Sequence, residues 1–283
     1  MSHKKFLAFT TIILSFVFVS VTLASDLALY TGPTNAGWIT DDACRREADD
    51  MISGVKGVFA SISDFGDGEE AQLGDWCVAH TGNSQVDVII TASGTMPSSL
   101  YPFPNLEPDG SNVEEFVDDG NVLINIADWI GYMSYEGGVR SADNGPDGAA
   151  NIFDIPGLSF GSRTNDMTVN NNGKKYLPSL VDFTSDRPWH VEQFAGTDWE
   201  VTTFAEADAD NADPAVAVNS VTGGIVSAII QKAWPDPGPD DDNRGEVVVE
   251  FIENWLLEMR PEITTAVEPG GKLSVTWGDL KTK

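Results

Sequence analysis

Asp26-Leu27-Ala28-Leu29-Tyr30-Thr31-Gly32-Pro33-Thr34-Asn35-Ala36-Gly37-Trp38-Ile39-Thr40-Asp41-Asp42 is the stretch from which the rest of the chain is read. Asp26 to Tyr30 is a short apolar strand. Thr31 to Trp38 is rich in turn residues. Thr40 is a good helix N-cap, and Asp41 and Asp42 place negative charge where the helix dipole favours it. Cys44, Ala48, Met51, Ile52 and Val55 then recur at helical spacing. Strand, loop and amphipathic helix follow one another within 30 residues, the opening of an alternating α/β fold.

The alternation continues. Val58 to Ile62 is expected to be a second strand, and Asp64 to Gly74 an acidic, Gly-rich loop. Val86-Asp87-Val88-Ile89-Ile90 is apolar enough to be covered on both faces. Ser111 and Glu114 form a capping box at the start of a helix that Gly120 is placed to end. Val122-Leu123-Ile124-Asn125-Ile126 is a fourth strand. Residues 141–185 are rich in Asn, Asp, Gly and Ser and are expected to be an irregular insertion. Trp199 to Phe204 and Gly224 to Gln231 are later strands. Asn243 and Glu246 open a last helix lined by Val248, Phe251, Ile252, Trp255 and Leu256, and Pro261 stops it. The expected fold is an open, mostly parallel sheet with helices on both faces. Its ligand site would lie at the carboxyl ends of the strands, among loops 31–39, 64–80, 92–105, 127–140 and 232–243.

Residues 1–25 have the pattern of a secretory signal peptide. Lys4 and Lys5 precede the apolar run Phe6 to Leu23, and Thr22 and Ala24 take the −3 and −1 positions of a cleavage site. The address is therefore secreted or periplasmic. The domain proper spans 26–262, and 263–283 is a tail or edge strand containing Leu273-Ser274-Val275-Thr276-Trp277. The 283 residues carry 16 Lys+Arg against 44 Asp+Glu, a net charge of −28. Cleavage would leave 14 basic residues and a charge of −30. Such a surface excludes nucleic-acid or anionic-membrane binding through a broad basic face. Two cysteines in an oxidising compartment, Cys44 and Cys77, are expected to pair.

The order of elements resembles the class I glutamine amidotransferase-like domain, a flavodoxin-like fold, and within it the trehalose-utilisation-type branch. The resemblance rests on four pieces: Leu27 to Tyr30 with its Gly-Pro-Thr-Asn loop, Asp87 to Ile90 before a Ser-Gly loop, Gly120 to Ile126, and Asn243-Arg244-Gly245-Glu246 opening the helix to Leu256. Active amidotransferases of this class carry a Cys on the tight turn after such a strand, within Gly-x-Cys-x-Gly. Here that turn reads Ala127-Asp128-Trp129-Ile130-Gly131, so the resemblance implies a scaffold without its thiol nucleophile. His190-Val191-Glu192 has the family's late His-x-Glu spacing, though as an isolated tripeptide.

The candidate ligand-binding residues on these loops are Thr34, Asn35, Trp38, Ser93, Asp128, Trp129, Tyr132, Glu136 and His190. Trp and Tyr faces grip sugar rings at low entropic cost, and carboxylates orient hydroxyls. The expected role is a non-catalytic binding domain for a small or carbohydrate ligand or a protein partner. The alternative is a glycan hydrolase using Asp128 and Glu136 as a carboxylate pair, or a metal held by His80, His190 and a carboxylate. A third reading is a subunit of an extracellular assembly joined through the 263–283 tail. No nucleotide-binding motif is present, and no cofactor is expected. The loops 64–70, 143–147 and 240–243 offer oxygen ligands to Ca²⁺, but none matches the twelve-residue Ca²⁺ loop.

Overall fold

The computed structural model describes residues 25–105, 110–161 and 165–263. All but the last residue of the expected signal peptide 1–25, and the tail beyond Ile263 with its expected edge strand, lie outside the described residues. The first half alternates strand and helix: β1 (Asp26–Tyr30), α1 (Asp41–Gly54), β2 (Ser61–Phe65), α2 (Glu70–His80), β3 (Val88–Thr91), α3 (Asn112–Asp118) and β4 (Val122–Ile126). The Thr40 hydroxyl accepts the Ala43 N–H at 3.3 Å at the start of α1. The Ser111–Glu114 capping box is present in both directions.

Two expectations shift here. Val58 belongs to the turn after α1, donating its N–H to Val55, so β2 starts three residues later, opposite Asp26. The acidic loop is short: Glu70 to His80 is helical, with only Leu73, Gly74 and Cys77 buried.

The insertion is more ordered than its composition suggests. It holds α4 (Asp147–Ile152), β5 (Asn165–Val169), α5 (Asn171–Tyr176) and β6 (Phe183–Ser185). Then come β7 (Trp189–His190), β8 (Trp199–Thr203), β9 (Ala205–Glu206), β10 (Asn211–Ala212), β11 (Ala215–Asn219) and β12 (Ile225–Ile229). The last described helix is α6 (Arg244–Glu250), which runs on through a π-helical stretch at Phe251–Leu256 to Met259, just before Pro261.

The main sheet has seven strands in the order β2-β1-β3-β4-β12-β11-β8. The first five are parallel, and β11 and β8 add an antiparallel flank. A second sheet of five short strands runs β6-β5-β9-β10-β7. All five residues of β4 are buried, as a strand covered on both faces requires. Alternate side chains feed two cores. Leu27 and Leu29 join Ala48, Met51, Val248 and Phe251 of α1 and the last helix. Ala28 and Tyr30 join Leu73, Val113 and Phe116 of α2 and α3 on the other face.

That division corrects the expected disulfide. Cys44 and Cys77 are both free and fully buried. Cys44 lies in the first core and Cys77 in the second, on opposite faces of the sheet. The Cys44 thiol donates to Ala92 O at 3.3 Å and the Cys77 thiol to Asn112 O at 3.4 Å. Burial pushes both thiols up to about 12. Two thiols per chain are therefore expected to react with Ellman's reagent in denaturant without reductant, and almost none in the native protein. An unreduced mass lower by one hydrogen pair would contradict this.

Candidate functional site

The loops leaving β1, β3 and β4 meet at the carboxyl edge and are stitched by polar side chains. Asn35 donates its backbone N–H to Ser93 O at 3.1 Å. Ser93 shares a 2.8 Å hydroxyl contact with Thr95, whose hydroxyl donates to Pro33 O at 2.8 Å. Below them a buried chain runs across the sheet. Thr91 Oγ1 donates to Asn125 Oδ1 at 2.7 Å, and the Asn125 amide donates to Asp128 O at 2.5 Å.

The turn after β4 is strained. Ala127 has φ +71°, in the left-handed region that non-glycine residues rarely occupy. The Asp128 N–H bonds back to Ile126 O at 2.9 Å, closing a three-residue turn. The side chain at the centre of this turn, Ala127, is a methyl group.

Asp128 is the buried charge of this edge, 3% exposed. Its Oδ2 accepts the Asn35 amide at 2.9 Å and its Oδ1 accepts the Trp129 N–H at 2.8 Å. Burial raises the carboxyl to about 6, against the opposing pull of these two bonds and of the Arg187 and Arg140 charges. Trp129 stacks on Tyr132 with ring centres 5.4 Å apart. The Arg187 guanidinium lies over both Trp38 and Trp129, 5.2 Å from each ring centre. Trp129 Nε1 and Arg187 Nε are buried with no hydrogen-bond partner among the described residues.

Asn35, Trp38, Ser93, Asp128, Trp129 and Tyr132 are thus brought to one edge. The other three candidates are engaged separately. The Thr34 hydroxyl donates to Asp41 at 2.6 Å, tying the loop to α1. Glu136 accepts the Ser98 N–H and, at 2.7 Å, the Ser98 hydroxyl. His190 faces Glu192 at 3.6 Å, and a Cβ built on Gly161 would sit 2.6 Å from its Nε2. Asp128 and Glu136 therefore serve different partners, which does not favour their use as a hydrolytic pair. Among the described residues no three His, Cys, Asp or Glu side chains gather as a metal would need.

Sequence reasoning missed Arg187 and Gln231. Asp186 and Arg187 donate their backbone N–H groups to Gln231 O at 2.9 and 3.2 Å, which docks the 185–187 turn onto the end of β12. The only signal was a lone Arg in Asp186-Arg187-Pro188-Trp189, in a chain short of cations.

No protein-family model and no curated protein matches the chain. Among solved structures, the chain is similar to a protein from Bacteroides uniformis ATCC 8492 described as ThuA-like. The two are 10% identical, with 80% of this chain and 89% of that chain covered and a TM-score of 0.43.

Proposed function

We propose that the chain is an exported, flavodoxin-like domain of the amidotransferase-like kind that binds a small ligand of carbohydrate class at its carboxyl edge and performs no thiol chemistry. The parallel strands follow the order 2-1-3-4-5 when β12 is counted fifth, the flavodoxin-like order. Its ligand crevice lies where the order reverses, between β1 and β3. Asn35 and Ser93 leave those two strands. The observation that carries the reading is the aromatic wall of Trp38, Trp129 and Tyr132 around buried donors that find no partner among the described residues. Buried polar groups are normally paired, and an orphan at a sheet's carboxyl edge fits a missing ligand. Ala127 at the elbow supports a binding role over acyl transfer.

The test is tryptophan fluorescence and calorimetry on the protein beginning at Ser25, titrated with mono- and oligosaccharides. Binding should weaken about tenfold in Trp38→Ala, a loss of about 1.4 kcal/mol. Glutamine should release no ammonia above blank. A saccharide panel that leaves the tryptophan signal and heats unchanged would overturn the binding reading, and glutaminase turnover would overturn the other half.

A further inference from the structure

We infer that the ligand at this edge carries a carboxylate on its ring, a sugar acid in class, held by Arg187 with Lys232 beside it. The inference rests on the binding reading above and narrows it. Among the described residues, Arg45, Arg46, Arg140, Lys175, Arg244 and Arg260 each pair with a carboxylate. In a chain with 44 acidic residues that is the expected fate of a cation. Lys56 and Lys174, which do not pair, are exposed and hydrated. Arg187 and Lys232 are different: both are half-buried, and among the described residues no carboxylate lies within ion-pair distance of either.

These two cations flank one turn. Arg187 donates its backbone N–H to Gln231 O, and Lys232 follows Gln231. Each lies over tryptophan: Arg187 over Trp38 and Trp129, and the Lys232 ammonium 4.1 Å from the Trp234 ring centre. A guanidinium over aromatic faces keeps its in-plane N–H groups for a ligand, the geometry that suits a planar carboxylate. A second, independent observation points the same way. Gln231 is fully buried, and neither atom of its side-chain amide has a partner; Trp129, 9% exposed, has an orphan indole N–H. The unfilled groups at the edge are mostly donors. The carboxylates here are engaged: Asp128 accepts from Asn35 and Trp129, Asp213 Oδ2 accepts the Ser185 hydroxyl and the Gln231 N–H, and Asp186 accepts the Ala233 N–H. The ligand must then supply acceptors, while the aromatic faces suit the C–H face of a sugar ring.

Calorimetry on the protein beginning at Ser25, at pH 7, would compare glucuronate, glucose, acetate and inorganic phosphate. Glucuronate should bind at least tenfold more tightly than glucose. Arg187→Gln should abolish that preference, so that the variant binds glucuronate no more tightly than it binds glucose. Lys232→Gln, at a position outside the core, should reduce it about threefold, and thermal melts would establish that both variants fold. Equal affinity for glucuronate and glucose would overturn the inference and leave the carbohydrate reading standing. So would phosphate binding as tightly as glucuronate, or a preference that survives in a folded Arg187→Gln. Binding of neither sugar would overturn both.

Discussion

Replacing Arg244 by Met is expected to destabilise the protein by about 3–5 kcal/mol and to lower its melting temperature by roughly 10 °C. Arg244 is fully buried. Its Nε donates to Asp242 Oδ1 at 2.8 Å and its Nη2 to Asp242 Oδ2 at 2.5 Å. It also donates to Trp38 O at 3.3 Å and Trp234 O at 3.2 Å, joining the loops after β1 and β12. Met fills much of the volume but leaves the Asp242 carboxylate buried and unpaired. Most of the cost comes from that stranded charge, because a buried pair replaced whole is often close to neutral. Arg244→Met with Asp242→Asn should therefore recover at least half of the loss. Chemical denaturation of the two variants and of Asp242→Asn alone, as a double-mutant cycle, measures the coupling. A single Arg244→Met variant within 1 kcal/mol of the parent would refute the account.

Stability should also fall as pH rises from about 5 to 8. Among the described residues five buried carboxyls are raised, each chiefly through burial: Glu47 to about 7, Asp128 to about 6 and Asp213 to about 7, with Asp87 and Glu114 raised as well. The unfolded chain ionises such groups near 4. The folded state therefore holds more protons than the unfolded state between about 4 and 7. Stability from these groups is complete below that window and lost as pH climbs through the folded values. Glu47, Asp128 and Asp213 each contribute on the order of 3–4 kcal/mol at most, at about 1.4 kcal/mol per pH unit of displacement. Repulsion within a strongly acidic surface acts in the same direction, but salt screens it. Melting curves at pH 5, 6, 7 and 8 in 1 M salt would isolate the buried part. Glu47→Gln should flatten the slope; a melting temperature that rises over this range would sink the argument.

The parts of the fold visible in the sequence are those written locally. The capping box at Ser111 and Glu114, the Thr40 cap and the uninterrupted apolar run of β4 each encode their element within a few residues. α2 stayed hidden because it buries only three residues and so has no apolar stripe to show. The end of the last helix was read correctly, but its cap was not. The Asn243 amide donates to Ser179 O at 2.7 Å. The Gly245 N–H is accepted instead by Glu47 Oε2 of α1 at 2.8 Å, a bond across 198 residues. The site divides in the same way. Asn35, Trp38, Asp128 and Trp129 stand in loops whose position follows from strand order. Arg187 and Gln231 join them only through the 185–187 turn docking on the end of β12. The disulfide expectation failed because strand-to-helix order does not by itself say which face of the sheet a helix covers.

The two borders of the seven-stranded sheet bear on how the protein behaves when concentrated. β2 forms one border as Ser61-Ile62-Ser63-Asp64-Phe65, with no residue fully buried. Asp64 on it is held by Arg45 at 2.7 Å. β8 forms the other as Trp199-Glu200-Val201-Thr202-Thr203, with only Trp199 buried. A bare strand border invites a neighbouring chain to pair with it unless charge or shortness discourages the contact. Both borders here are five residues long and each places a carboxylate on the rim, so edge-to-edge fibril growth would bring like charges together at every added molecule.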